Sequence, residues 1–484
     1  MSWRVDGSKC IDTITTSYEY LPLAEKLCFL YFAAFPEDHE IKAEVLLRIW
    51  VAERLIPHED TRTLEETAER FLEDLVQRSM VQVERLPDGS IDICRVHDTL
   101  RDLAIQKAKD MNFLMVCSST DDWESCSKAR RVAIHCSSHD NGPKRNCASP
   151  NVRSLLFFAD SSKLDCSQYR VLRVLLNMRG KLTLQSFRGS SHLRYLGLDG
   201  SDIRGKETEF GIWITGMKYL ETLDLTTSMH GDLSKWIWKV KTLRHVMLGT
   251  GLETQGPPTT VDLRNVQTLR CVSWNRSWET SDFPNIPKAR ELVIRIDNLT
   301  PEREVANLLC RLKYLLVLEL IGPINLSKIA NGVCVFNDYL KFLIIQSKHR
   351  LPLVLCDDML PRHLMQLNLE GYKFESDPMP VLEKLESLKA LSLCGCGFLE
   401  NSENAVRGIR CSSGGFKQLE VLEFERLPWE VWEFEMGAMP MLRRLKVRRC
   451  YRLRMPPVLN YLPRLQDVDW EYNLMGSMLL QHWS

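Results

Sequence analysis

LRYLGL, Leu193 to Leu198, returns as LETLDL from Leu220 and LRHVML from Leu243. The frame continues as LLVLEL from Leu315, LKFLII from Leu340, LMQLNL from Leu364 and LKALSL from Leu388. It closes with LEVLEF from Leu419, LRRLKV from Leu442 and LQDVDW from Leu465. Looser copies are VRSLLF from Val152, LRVLLN from Leu172, LRCVSW from Leu269 and ARELVI from Ala289. Successive copies begin 20 to 31 residues apart, which is the period of a leucine-rich repeat. In LxxLxL the fourth and sixth positions share one face of a strand, and the first leucine turns in from the preceding loop. One copy cannot bury its leucines, so the copies must stack and share a core. The expected fold is an irregular leucine-rich-repeat solenoid with a parallel sheet on its concave side. Insertions such as Gly200 to Ile212 and Cys396 to Phe416 make it uneven. The x residues of the sheet are expected to face solvent and offer a surface for protein contact, without chemistry of their own.

Upstream of the repeats the periodicity becomes helical. Leu23 to Phe32, Ala43 to Glu53 and Leu64 to Arg78 each carry apolar residues at helix spacing. Two alternating segments follow, MVQVERL and IDICRV, joined by Pro87-Asp88-Gly89-Ser90; Asp-Gly between such segments marks a hairpin. A final amphipathic helix is expected from Thr99 to Lys109. Three helices, a two-stranded wing and a closing helix make a small winged-helix domain, so the class is α/β overall. The boundaries fall at 18–117 for the winged helix and 118–484 for the repeats.

Composition sets the frame. The 484 residues require more than one domain, and 44% apolar with 26% charged side chains is ordinary for a globular protein. The 63 basic and 63 acidic residues cancel, which gives no global attraction to nucleic acid or to an anionic membrane. The opening MSWRVDGSKC lacks the apolar core of a secretory signal. LCFLYFAAF, Leu27 to Phe35, is about half of the roughly 20 residues that span a bilayer. The reading is a cytoplasmic protein with no transmembrane segment, reaching the plasma membrane through partners if at all. Sixteen scattered cysteines with one isolated CxC at Cys394 and Cys396 read as free thiols of a reducing compartment.

Two motifs carry a family resemblance. YEYLPLAEKLCFLYFAAFPEDHEIKAEVLLRIWVAERLI, Tyr18 to Ile56, resembles the opening of the winged-helix domain of plant disease-resistance proteins. VHDTLRDLAIQKA, Val96 to Ala108, resembles the Met-His-Asp motif that closes that domain, with Val96 in place of methionine. LRRLKVRRCYRLRMPP, Leu442 to Pro457, is similar to the closing repeats of the coiled-coil class of these nucleotide-binding, leucine-rich-repeat receptors. The resemblance implies the carboxy-terminal part of an innate-immune receptor: an autoinhibitory winged helix and repeats that recognise an effector or partner. It makes residues 1–17 the remnant of a preceding helical subdomain, with the nucleotide-binding domain missing.

In that family the motif histidine contacts the β-phosphate of ADP, so the resemblance carries a nucleotide-sensing role onto His97 and Asp98. Asp98 is suited to cap the Thr99 helix, and a helix start beside an imidazole suits an anion. A surface histidine beside a capping aspartate, with no ligand, is the equal alternative. The family's ADP or ATP also needs a P-loop, and no GxxxxGK[ST] occurs in the sequence; no cofactor is therefore expected for this chain by itself. Asp357 and Asp358 in LPLVLCDDML fall between two repeat copies, where a loop is expected rather than a magnesium site. His135, His139, His192, His230, His245 and His363 have no carboxylate or cysteine at ligand or triad spacing. No catalytic or metal residue is expected, and the chain reads as a non-enzyme.

Two surface features complete the reading. Stacking LEVLEF, LRRLKV and LQDVDW sets Glu420, Glu423 and Glu425 against Arg443, Lys446 and Arg448, with Asp467, Asp469 and Glu471 on the other side. The basic run is then an internal charge ladder rather than a phosphate stripe. Trp429 and Trp432 fall outside the repeat strand; they either pack in the connecting arc or stand exposed as anchors for a partner. The partners implied are proteins: a pathogen effector or guarded host protein, and the nucleotide-binding half of a related receptor. A winged-helix nucleic-acid binder with a repeat-based regulatory domain is the alternative, but LEETAERFLEDLVQR is acidic where a recognition helix should be basic.

Overall fold

In a computed structural model the described residues are 15–118, 129–135, 151–158, 169–178, 190–198, 206–226, 231–279, 286–330, 336–399 and 408–471. Residues 1–14, most of the expected helical remnant, lie outside them, as do His139, His230 and parts of both expected insertions. The chain forms two compact units, Met1–Thr254 and Gln255–Ser484.

The first unit opens with the winged helix. Its helices are α1 (Leu23–Leu30), α2 (Ala43–Ala52), α3 (Leu64–Gln77) and α4 (Asp98–Asp110). A single turn of tighter helix, Tyr31–Ala34, extends α1. Three short strands, β1 (Ile41–Lys42), β2 (Gln82–Arg85) and β3 (Ile91–Arg95), form an antiparallel sheet in the order β1-β3-β2. The turn Pro87–Ser90 is closed by Gly89 at φ +89, a conformation only glycine adopts without strain. Thr63 starts α3 with a full capping box: its hydroxyl accepts from Glu66 N–H while the Glu66 carboxylate accepts from Thr63 N–H at 2.8 Å.

The repeat sheet of this unit then runs β4 (Met115–Cys117), β5 (Arg131–Ile134), β6 (Ser154–Phe157), β7 (Val174–Asn177), β8 (Tyr195–Leu198), β9 (Thr222–Leu225) and β10 (His245–Leu248), each parallel to the next. The ladder thus begins at Met115, inside the span assigned to the winged helix from sequence, and its first two strands precede every copy recognised there. MVC and RVAI carry no leucine at the frame positions that marked most of the other copies.

The second unit continues the pattern with β11 (Thr268–Ser273), β12 (Glu291–Arg295), β13 (Val317–Ile321), β14 (Phe342–Leu353), β15 (Gln366–Phe374) and β16 (Ala390–Cys394). The short β17 (Gly397–Phe398) pairs with the end of β15. β18 (Gly408–Cys411) pairs with β20 (Val431–Phe434) in a separate two-stranded sheet. β19 (Val421–Glu425), β21 (Arg444–Arg448) and β22 (Asp467–Trp470) complete the main sheet beside β16.

Burial separates the two units. β13 and β19 alternate between partly exposed and buried residues, as a sheet with one open face must. β5, β6, β7 and β8 are buried at every position. The expectation of a solvent-facing concave side therefore fails over these repeats, because the winged helix covers them. Ala133, Leu156 and Leu176, which occupy x positions, join Phe35, Ile49 and Trp50 of the winged helix in one apolar cluster. Burying such side chains is the main drive for this packing.

Candidate functional site

The covered face is held by charge as well as by apolar area. Glu53 follows the last turn of α2, where the helix dipole disfavours a carboxylate, so its placement answers to something outside the helix. Its side chain is fully buried. Arg131 donates to it through Nε at 2.7 Å and Nη2 at 2.5 Å, and the Ser154 hydroxyl donates to its other oxygen. Arg54, turned outward by a left-handed backbone at φ +62, reaches Glu221 at 2.9 Å, and Arg194 reaches the same oxygen at 2.6 Å.

A second contact is built on α3. Glu65 sits in its first turn, the end a carboxylate favours, and accepts from Arg244 Nη2 at 2.5 Å and from His245 Nε2 at 3.2 Å. Burial works to raise the Glu65 pKa, but His245 and Arg244 outweigh it and bring it down to about 2. His245 is itself held down to about 4, by burial and by the Arg48 and Arg244 charges, against the pull of Glu65. At neutral pH the contact is therefore a carboxylate gripped by one guanidinium and one neutral imidazole. No carboxylate neighbours His245 in sequence; the fold supplies one from 180 residues away. Phe158 adds an apolar brace between His135, at 5.3 Å, and Phe35, at 5.5 Å, while His135 Nε2 lies 2.8 Å from the Ala34 carbonyl.

A row of arginines escaped the sequence reading. The second position of successive repeats carries Arg130, Arg153, Arg173, Arg194, Glu221 and Arg244, and each backbone N–H bonds to the carbonyl of the one before it at 2.6 to 2.8 Å. Arg194 and Arg244 have carboxylate partners. Arg130, Arg153 and Arg173 have no side-chain hydrogen bond or ion pair among the described residues. Burial and the neighbouring Arg153 and Arg194 lower the pKa of Arg173, with Glu53 opposing; cations stand side by side here without full compensation. The signal was present as the R of VRSLLF, LRVLLN and LRYLGL.

The expected nucleotide-sensing pair is placed differently from its expected roles. α4 starts at Asp98, one residue early, so His97 and not Asp98 is the N-cap. His97 has extended backbone and its Nδ1 accepts from the Thr99 amide at 3.4 Å, while its carbonyl accepts from Leu100 and Arg101 N–H at 2.9 Å. Both His97 and Asp98 are exposed. They present an imidazole and a helix start to solvent, the two features that suit an anion.

Trp429 and Trp432 are not surface anchors. They are 1% and 4% exposed. Trp429 packs against Phe398 and Phe424, both at 5.6 Å, and Trp432 against Phe424 at 5.2 Å and Phe434 at 5.8 Å. The Trp432 indole donates to Cys411 Sγ at 3.4 Å. The connecting arc needs these rings as its core, which overturns the partner-contact reading. Exposed aromatic side chains of this unit are instead Tyr451, Tyr461 and the pair Tyr314 and Tyr339, whose rings stand 6.2 Å apart.

The charge ladder follows the expected register, with one diagonal shift. Glu423 faces Lys446 at 2.7 Å, Arg443 lies 3.8 Å from Glu420, and Arg444 lies 3.1 Å from Asp467. Arg448 reaches past its opposite number to Asp469 at 2.6 Å, and Glu471 accepts from Arg449 N–H. These pairs are half exposed, so each contributes little. Lys446→Ala is expected to lower stability by less than about 1 kcal/mol, read from urea unfolding of the intact chain; a loss above about 2 kcal/mol would give the ladder a weight this geometry does not support. Asp357 and Asp358 lie in the turn after β14, paired with Lys384 at 2.7 Å and Arg362 at 3.7 Å. Among the described residues no group of His, Cys, Asp and Glu could hold a metal ion, and the ten described cysteines are free. No described helix is long and apolar enough to cross a membrane.

Comparison with known proteins matches both halves of this architecture. A profile of the leucine-rich repeat region fits residues 151–480, and one of the disease resistance protein winged helix domain fits residues 34–104. Probable disease resistance protein RF45 of Arabidopsis thaliana is 31% identical over 93% of this chain and 45% of its own length. Probable disease resistance RPP8-like protein 2 of the same plant is 30% identical over 95% of this chain and 52% of its own. Disease resistance protein RPP13, also of Arabidopsis, is 30% identical over 89% and 48%. The chain thus spans about half the length of the curated relatives it matches.

Proposed function

The chain belongs to the disease-resistance proteins that join a winged helix to leucine-rich repeats, and from that premise we propose that it supplies the restraining and recognising half of an innate-immune receptor. The observation that carries this reading is the winged helix seated on the first repeats through Glu53, Arg54 and Glu65. A switch element held on a rigid scaffold by a few ion pairs can be released when a partner competes for the scaffold. The open concave sheet of the second unit is the surface on which a pathogen effector or guarded host protein would bind. Chemistry plays no part in this role, and a cytoplasmic setting suits it.

Nucleotide switching lies outside what this chain does by itself. His97 and Asp98 are one exposed corner, and the backbone cradle and lysine of a P-loop are needed to hold the phosphates. Calorimetry of the isolated chain with ADP or ATP is expected to show no saturable heat; micromolar affinity would overturn this part of the proposal.

The chain is proposed to associate in trans with the nucleotide-binding half of a related receptor, and Arg130, Arg153 and Arg173 offer acidic groups of that half a cationic docking row. Co-precipitation with such halves is expected to succeed for the natural chain and to fall at least fivefold for R130E/R153E/R173E. Equal recovery of the two chains would remove the arginine row from the proposal, and no recovery of either would remove association in trans. Nucleic-acid binding is the weaker reading, because α3 commits Glu65 to the repeats and carries more acid than base.

A further inference from the structure

Between Gln346 and Leu351 the pairing of β14 with β15 jumps register, so that Ser347, Lys348, His349 and Arg350 stand opposite Gly371 alone. Such an excursion re-aims side chains and is a built feature rather than a defect. Gly371 has φ +77, and a Cβ there would meet the Ser347 carbonyl at 1.7 Å, so no other residue fits the bulge. Arg350 carries the return turn at φ +48, and the buried Ser347 hydroxyl accepts from the His349 amide at 3.2 Å. Sequence and backbone thus cooperate to hold three basic side chains outward. Lys348, His349 and Arg350 are exposed, and none has a side-chain partner among the described residues.

Beside the bulge lies a cavity of about 380 Å³, past the ends of β12 and β13 and along the middle of β14 and β15. Lys348, His349, Gln346 and Asn298 line it, together with Asp297 and Glu370. The two carboxylates are already engaged: Asp297 accepts from Leu299 N–H and the Thr300 hydroxyl, and Glu370 pairs with Arg426 at 2.9 Å. The side-chain amides of Gln346 and Asn298 have no partner among the described residues. Gly322 forms part of the wall with φ +136, where a Cβ would lie 2.0 Å from the Ile296 carbonyl.

We propose that this bulge and cavity bind a peptide segment of a protein partner through one acidic side chain of that segment. Lys348, His349 and Arg350 take the carboxylate, and the Gln346 and Asn298 amides match the donors and acceptors of the peptide backbone. A single carboxylate needs only the outward cations of the bulge, whereas a run of phosphates would also have to lie along Asp297 and Glu370, which favours a peptide over a nucleic-acid strand. The proposal rests on the reading of the repeats as a protein-recognising surface, and it gives that surface a place and a chemical preference.

The test is saturation-transfer NMR on the intact chain with three probes: acetyl-Gly-Glu-Gly-amide, its glutamine counterpart, and the oligonucleotide dT6. The glutamate peptide is expected to bind at millimolar strength and the glutamine peptide at least fivefold more weakly. K348E/R350E is expected to remove the difference, and H349A to reduce it; all three positions are exposed, so folding is not at stake. R153E/R173E is expected to leave it unchanged. Equal binding of the two peptides, or retention of the preference in K348E/R350E, would overturn the proposal. So would dT6 binding that is stronger than the peptide's and lost in K348E/R350E. Loss in R153E/R173E alone would move the preference to the arginine row, which overturns this site while sparing the association in trans.

Discussion

Glu53→Ala is expected to cost about 3–5 kcal/mol, because it leaves Arg131 buried without its counter-charge. The Glu53 side chain is fully buried and that of Arg131 is 10% exposed, so water cannot replace the lost carboxylate. The Ser154 hydroxyl loses its acceptor at the same time. The effect should appear as a drop in the opening free energy of α2, β5 and β6, measured by native-state hydrogen exchange in the intact chain. R131M in the Glu53→Ala background should recover most of the loss, since an apolar replacement of both partners leaves no buried charge. A change below about 1 kcal/mol for Glu53→Ala alone would mean that the contact does not hold the winged helix.

Acid is expected to loosen the second contact. The folded pKa of His245, about 4, lies below its ordinary value of 6.5, so the unfolded chain binds the proton first. Stability is then complete above about pH 6.5 and falls as pH drops toward 4, by up to roughly 1.4 kcal/mol per pH unit and about 3 kcal/mol in all. Protonation brings a third positive charge beside Arg48 and Arg244, with Glu65 answering His245 and Arg244 and Glu44 already paired with Arg48 at 3.2 Å. Glu65 has the same sign in a lower window: its folded pKa of about 2 lies below 4.5, so its contribution disappears between those values. Hydrogen exchange of α3 and β10 at pH 7, 6 and 5 should show the His245 window. H245Q keeps a donor for Glu65 and cannot titrate, so it should flatten the slope between pH 6.5 and 4. An unchanged slope in H245Q would assign it to other groups.

The repeats were legible because a buried leucine at fixed spacing is a strong local signal. Leu196, Leu223 and Leu292 are each 0% exposed, as their frame requires. The hairpin was equally plain, since Asp88-Gly89 states its own turn. The contact between winged helix and repeats was not legible, because Glu53 and Arg131 are 78 residues apart and Glu65 and His245 are 180 apart. Periodicity carries no information about which faces meet at such distances. A trace was present all the same: Ala133, Leu156 and Leu176 are apolar where an open sheet would carry polar residues. The arginine row was written in the repeat itself, at a position treated as generic solvent-facing sequence. Trp429 and Trp432 could not be placed from sequence, because a tryptophan in a loop serves a core or an interface equally well until its neighbours are known. At His97 the error was one residue of helix start, which transferred the capping role from the aspartate to the imidazole.

The central claim is that the winged helix covers the concave face of the first repeats, whereas the strands of the second unit keep one face partly exposed. Hydroxyl-radical footprinting of the intact chain reads this directly, because it reports solvent access side chain by side chain. Leu156 and Leu176, 0% and 4% exposed, should be as protected as the core leucines, while the half-buried Leu316 and Ile344 of the second unit react. Glu53→Ala combined with Glu65→Ala should raise the reactivity of the first pair and leave the second unchanged. Natural protein in which Leu156 and Leu176 react as readily as Leu316 and Ile344 would contradict the account.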